Sequence, residues 1–144
     1  MKALLKKRGI DAWGNGAFGA TRIGSNGKVK SHKGIDYACP PNIGIMSPAI
    51  GEVTKLGYPY PYVSKGTNFR YVEISDLAGL RHQIYYVKPS VKEGDQVTIL
   101  TVIGQSQDIA KKYDTKLKKM CNHIHYQVLD TDGVPIDPET IGHD

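Results

Sequence analysis

One chain of 144 residues, 40% hydrophobic and 23% charged, is a single soluble domain's worth of protein, which excludes disordered, fibrous and multidomain readings. Lys and Arg number 19 against 14 Asp and Glu, and the resulting +5 suits an anionic partner such as nucleic acid, a membrane surface or a bacterial wall. No apolar run approaches the ~18 residues of a membrane span, and the opening Met-Lys-Ala-Leu-Leu-Lys-Lys-Arg holds too short an apolar stretch for a secretory signal, so neither feature is expected.

Sixteen Gly, eight Pro and nine Tyr favour many short strands and turns over long helices. The first thirty residues, rich in Gly, Asn and Ser, read as a surface arm with little regular structure that docks Trp13 and Phe18 on the core. Short β-like runs follow at 34–38, 43–47, 50–56, 70–75, 80–87, 97–103 and 124–129, separated by turn residues. They predict a mainly β fold, an antiparallel sheet or sandwich. The stretch 57–68 carries Pro59, Pro61, Tyr58, Tyr60 and Tyr62 and is either an aromatic binding loop or a cover for the core edge. Ile109, Tyr113 and Leu117 recur every four residues, beside the acid-before-base pairs Asp108/Lys112 and Asp114/Lys118, which predicts one short helix near 108–119. Its Lys111, Lys112, Lys116, Lys118 and Lys119 meet a polyanion or are simply solvated. Cys39 and Cys121 lack the paired spacing of a zinc knuckle and are expected to be buried thiols, with one disulfide formed after export as the alternative.

Among the five histidines, spacing is more informative than number. Ser-His-Lys-Gly-Ile-Asp-Tyr sets His32 and Asp36 four apart, and Asn-His-Ile-His-Tyr sets His123 and His125 two apart. Positions i and i+2 of a strand project from one face, so His123 and His125 form a two-histidine platform. Gly34 and the β-branched Ile35 disfavour a helix across 32–36, so that pair spans a loop entering a strand. Two imidazoles and one carboxylate make a tridentate set of the kind catalytic zinc uses, with the fourth position kept for water. Either motif alone is more readily a packed or solvated pair; the two together, in a β-rich chain that must bring distant strands together, leave a metal site and a packed cluster equally open.

Several segments, taken in order along the chain, carry a further signal: Phe18-Gly19; His32-Lys33-Gly34-Ile35-Asp36-Tyr37-Ala38 with Pro40; Ser47-Pro48-Ala49 with Gly51-Glu52-Val53; Val91-Lys92-Glu93-Gly94-Asp95-Gln96-Val97 with Ile103-Gly104; His123-Ile124-His125-Tyr126-Gln127-Val128; and Asp132-Gly133-Val134-Pro135-Ile136-Asp137-Pro138. Together they resemble the lysostaphin-type (LytM-type) zinc metallopeptidases, which cut peptide crosslinks of peptidoglycan. The resemblance implies one metallopeptidase-like domain over 18–141, of that family's duplicated hybrid motif fold, after an arm over 1–17. It implies one zinc ion held by His32, Asp36 and His125, with His123 as general base. Asn122 stands on the approach to the site, where the family often has proline. Tyr86 occupies the place of the family's second catalytic histidine; a phenol donates a hydrogen bond to a developing oxyanion but cannot carry an imidazolium's charge. His82, too far along an unbroken strand to replace it, is read as lying along the groove or on the surface. With Tyr58, Tyr60, Tyr62 and Asn122 it makes up the expected substrate-binding set. His143 lies beyond the resemblance, in the tail.

The resemblance implies a zinc-dependent endopeptidase acting on bacterial peptidoglycan. It would be made in the cytoplasm without a signal peptide and delivered to the wall or periplasm by other means, as a phage lysin or virion-associated wall hydrolase is. The Tyr86 exchange, with Tyr86-Val87-Lys88-Pro89, is also similar to the vertebrate leukocyte cell-derived chemotaxin, a relative regarded as a binding protein. The alternative is therefore a catalytically weak or inactive zinc-containing binding module. A nucleic-acid surface made of the basic helix and the tyrosines gives no reason for four well-spaced site residues, so no nucleic-acid partner is expected. The chain is expected to act as a monomer.

Overall fold

The computed structural model describes residues 6–7, 10–11, 14–23, 29–60, 68–113 and 121–141. Its elements are β1 (Lys6–Lys7), β2 (Ile10–Asp11), β3 (Gly14–Asn15), β4 (Thr21–Ile23), β5 (Val29–Ser31), β6 (Ile35–Ala38), β7 (Gly44–Met46), β8 (Gly51–Gly57), β9 (Tyr71–Asp76), β10 (Arg81–Tyr85), β11 (Val87–Pro89), β12 (Gln96–Val97), β13 (Val102–Ser106), α1 (Ala110–Tyr113), β14 (His123–Leu129), β15 (Pro135–Ile136) and a closing 3-10 turn (Pro138–Thr140). The fold is mainly β and antiparallel. The large sheet runs β1-β6-β14-β10-β9-β8-β12, with β15 beside β14, and a small sheet runs β11-β13-β7.

Strand alternation explains how the large sheet divides its residues. In β14, Ile124, Tyr126 and Val128 are fully buried, and His123, His125 and Gln127 must take the opposite face. Ile84 of β10, Val72 and Ile74 of β9, Val53 of β8 and Ile35 of β6 join the same core cluster, as do Ile45, Val87 and Ile103 of the small sheet. Removing this apolar area from water is the main term holding the two sheets. Gly34, where the chain enters β6, lies against β14: a Cβ there would stand 2.3 Å from the Tyr126 carbonyl oxygen.

The structure departs from the sequence reading in four places. The run 80–87 is two strands, because Tyr86 adopts φ 69° and breaks the ladder. The run 97–103 is also two, split by a turn in which the Thr101 N–H donates to the Thr98 carbonyl at 3.0 Å. The arm is not bare of regular structure but contributes the short ladders β1–β6, β2–β3 and β4–β5; Trp13 lies outside the described residues, while Phe18 packs against the core. Cys39 and Cys121 are not joined to each other, and only Cys39 is buried; Cys121 is exposed ahead of β14. Of the expected helix, α1 covers Ala110–Tyr113 and 114–120 lie outside the described residues, with Lys116, Lys118 and Lys119 among them. Among the described residues, no helix is long and apolar enough to cross a membrane.

Candidate metal centre and active site

Three elements converge on one point. His32 follows β5, Asp36 lies on β6, and His125 lies on β14 directly opposite Asp36 in the antiparallel register. The His125 Nδ1 to Asp36 Oδ1 distance is 2.9 Å, His32 Nε2 to His125 Nδ1 is 3.0 Å, and His32 Nε2 to Asp36 Oδ1 is 3.2 Å. These ligand-type atoms all lie within 4.8 Å of one another.

The donor set fits a zinc ion on its own chemistry. The outer nitrogen of each imidazole has an acceptor: His32 Nδ1 donates to the Ala17 carbonyl at 3.0 Å, and His125 Nε2 donates to Gln127 Oε1 at 2.9 Å. Each inner nitrogen is left with a lone pair, and the two face one another beside a carboxylate oxygen. Three acceptors aimed at one point ask for a cation. Their spacing is close to the ~3.3 Å edge made by tetrahedral ligands at roughly 2.0–2.1 Å from zinc. Burial by itself raises the Asp36 carboxyl, but the imidazoles of His125, His32 and His123 gathered around it outweigh burial and hold the group far below its ordinary value. Asp36 is therefore an anion when a cation arrives.

His123 is 4% exposed and stands beside this cluster on the same face of β14. Its Nδ1 donates to the Cys121 carbonyl at 2.7 Å, and its Nε2 lies 3.6 Å from Asp36 Oδ2. The Tyr86 ring meets His123 edge-on at 5.6 Å and Phe69 at 5.9 Å, and its hydroxyl lies 3.4 Å from that of Tyr60. The left-handed backbone at Tyr86 is held from both sides, by the Tyr86 N–H on the Arg70 carbonyl at 2.8 Å and the Gln107 N–H on the Tyr86 carbonyl at 2.8 Å. Such a conformation costs a non-glycine residue on the order of 1–2 kcal/mol. It turns Tyr86 to the face that Tyr85 already occupies, so two consecutive tyrosines border the site, Tyr85 meeting His125 edge-on at 5.2 Å. Burial first, then the neighbouring Tyr71 and Glu73, pushes the Tyr85 phenol up to about 12.

Three expected substrate contacts need correction or restriction. His82 is neither in the groove nor on the surface: it is 2% exposed, on the core side of β10, with Nδ1 2.7 Å from the Tyr126 hydroxyl and Nε2 2.8 Å from Asp76 Oδ2. The break at Tyr86 is the reason, since it puts positions 82 and 86 on opposite faces. Asn122 spends its amide on structure, donating to Asp108 Oδ1 at 3.0 Å and accepting from the Ala110 N–H at 2.9 Å, which fastens the start of α1. Tyr58 is exposed beneath the Arg70 guanidinium, 4.1 Å from the ring; Tyr60 reaches Tyr86, and Tyr62 lies outside the described residues. The sequence reading missed Tyr85, Gln83 and Gln127 on the site face. Extending the i, i+2 alternation from His125 to Gln127, and through β10, would have found them.

Residues 30–138 match the model of peptidase family M23. Among solved structures, the solution structure of lysostaphin is 21% identical with a TM-score of 0.63, over 94% of this chain and 49% of that one, so this chain spans about half its length. The catalytic domain of the prophage-encoded M23 protein EnpA from Enterococcus faecalis is 19% identical with a TM-score of 0.63, over 99% of this chain and 95% of that one. The catalytic domain of the antimicrobial peptidase lysostaphin from Staphylococcus simulans is 22% identical with a TM-score of 0.62, over 86% of each chain. No curated protein matches the chain in sequence.

Proposed function

The chain belongs to peptidase family M23, and we propose that it is a zinc-dependent endopeptidase that cleaves peptide crosslinks of bacterial peptidoglycan. The observation that carries this reading is the convergence of His32 Nε2, Asp36 Oδ1 and His125 Nδ1, with the unligated His123 imidazole beside them. When bound, zinc polarises the scissile carbonyl and lowers the pKa of a coordinated water to about 7. His123 holds its Nδ1 proton on the Cys121 carbonyl, so its Nε2 is the base that takes the nucleophile's proton and returns it to the leaving amine. The Tyr86 hydroxyl donates a hydrogen bond to the carbonyl oxygen as charge develops there. Tyr60 and Phe69 hold the phenol in position, and the peptide runs past Tyr60 and Tyr58.

We read the protein as a phage lysin or virion-associated wall hydrolase acting as a monomer; the prophage origin stated for the Enterococcus faecalis relative supports this. The test is incubation of the zinc-loaded protein with purified peptidoglycan, following newly released amino termini. Release that disappears in His123→Ala is expected, and equal release from that variant overturns the role of His123.

Tyr86 in a position expected for histidine favours a second reading, a zinc-containing binding module of the same fold. Tyr86→His separates the two. Hydrolysis appearing only in the variant supports the module, and a wild type that already cleaves excludes it.

A further inference from the structure

We propose that Gln127, Gln83 and Glu73 form a positioning relay that fixes the tautomer and ring orientation of His125, with its direction set at the far end by the Glu73 carboxylate. The inference rests on the reading of His125 as a metal ligand through Nδ1.

The three residues stand in one row across three adjacent strands, Gln127 of β14 opposite Gln83 of β10, and Gln83 opposite Glu73 of β9. The next row of the same face holds Asp36, His125, Tyr85 and Tyr71. Every hydrogen bond in the relay runs the same way. The His125 Nε2–H donates to Gln127 Oε1 at 2.9 Å, Gln127 Nε2 donates to Gln83 Oε1 at 2.8 Å, and Gln83 Nε2 donates to Glu73 Oε2 at 2.7 Å. Tyr85 adds a second donor to Gln83 Oε1 at 3.2 Å, and the Thr54 hydroxyl donates to Glu73 Oε1 at 2.9 Å.

This order follows from the chemistry of its last member. A carboxylate accepts and does not donate, so Gln83 must turn its NH₂ toward Glu73 and its carbonyl toward Gln127. That carbonyl forces Gln127 to present its own NH₂ inward and its carbonyl to His125. A carbonyl in that place requires the proton of His125 on Nε2, which leaves the Nδ1 lone pair aimed at His32 Nε2 and Asp36 Oδ1. Glu73 and Gln83 are each only 7% exposed, so water competes little for these bonds, and a reversed amide would leave a buried carbonyl against a carboxylate. An acceptor on the far nitrogen of a ligating histidine raises its basicity and holds its ring; losing one typically costs 10–100-fold in metal affinity. Gln127 acts directly on His125, and Gln83 and Glu73 act through it.

The test uses the full chain and two readouts that do not depend on catalysis: zinc affinity by competition with a chromophoric chelator, and exchange of the His125 Nε2–H with water by imidazole nitrogen NMR of the zinc-loaded protein. Wild type is expected to show a slowly exchanging Nε2–H. Gln127→Leu should bind zinc 10–100-fold more weakly and Gln83→Leu should also bind more weakly, each with a faster-exchanging Nε2–H. Gln127→Glu combined with Glu73→Gln reverses every donor and acceptor of the relay beyond His125 while still giving Nε2–H an acceptor; this variant should keep affinity within about threefold, and it serves if the leucine variants fail to fold. Folded leucine variants with wild-type affinity and Nε2–H exchange, or loss of zinc in the reversed variant, overturn the relay. A wild type that fails to bind zinc, or binds it equally in His125→Ala, overturns the ligand reading instead, and with it the metal-directed role of the relay.

Discussion

The contact between His82 and Tyr126 offers a clean test of how the core side of β14 is held. Tyr126→Phe removes one oxygen and nothing else: the ring stays stacked on His82, 5.9 Å between centroids and 11° between planes, and no cavity larger than a hydroxyl opens. What is lost is the partner at 2.7 Å from His82 Nδ1, in a place where His82 is 2% and Tyr126 0% exposed. A buried polar atom deprived of its partner costs about 1–3 kcal/mol. In a domain of this size that is roughly 3–12 °C in Tm. Urea unfolding at neutral pH followed by circular dichroism should show the midpoint falling with the slope unchanged. In a double-mutant cycle with His82→Leu, the paired change should cost less than the sum of the single ones by about 1 kcal/mol. An unchanged midpoint in Tyr126→Phe would refute the claim that this hydroxyl satisfies a buried donor or acceptor.

Other expectations follow from the site and its surroundings. Tyr86→Phe keeps the edge contacts of the ring with His123 and Phe69 and removes the hydroxyl, so kcat on peptidoglycan should fall about 10²–10³-fold with KM little changed; an unchanged kcat removes Tyr86 as oxyanion donor. Stripping metal with a chelator should lower Tm, and zinc at about 100 times its Kd should restore roughly 2.7 kcal/mol; the same cycle in His32→Ala should move Tm far less, and an equal shift would place the ion elsewhere. Burial raises the Asp76 carboxyl, but hydrogen bonds from His82 and from the Leu80 and Ala78 amides outweigh it and lower the group from its ordinary 3.8. A lowered folded value gives stability that is complete above that ordinary value and lost as pH falls through the folded one. Stability measured from neutral to strongly acid pH should therefore decline less in Asp76→Asn than in wild type, and parallel curves would show that Asp76 carries none of the acid sensitivity.

The gathering of His32, Asp36 and His125 was legible because its signals are local. Two histidines two apart share a strand face wherever the strand lies, and His32 and Asp36 flank a Gly-Ile step that reads as a loop entering a strand. The strand runs around Ile74, Ile84 and Ile124 were legible for the same reason, since apolar alternation marks a half-buried strand. What escaped depends on one residue's backbone or on partners far apart in the chain. Nothing in Ile84-Tyr85-Tyr86-Val87 announces a left-handed tyrosine, and with an unbroken strand assumed, His82 falls on the wrong face. The backbone strain there is offset by contacts with Arg70 and Gln107, which are distant in sequence. The row from Gln127 to Glu73 became visible only with the pairing of three strands, and Asn122 could not be assigned before Asp108 and Ala110 were seen beside it. The short ladders of the arm carry too few residues to show any periodicity.

The arm also changes where this protein can be cut. The family match begins at residue 30, and a minimal peptidase trimmed to that boundary would look complete by homology. It would nonetheless discard the Ala17 carbonyl that receives the His32 Nδ1 proton and the Gly16 carbonyl that receives the Asp36 N–H at 2.8 Å. Two of the three residues of the candidate metal cluster are thus positioned by main chain that lies outside the recognisable family segment. The unit of inheritance and the unit of function have different ends, and a boundary drawn for engineering should follow the second.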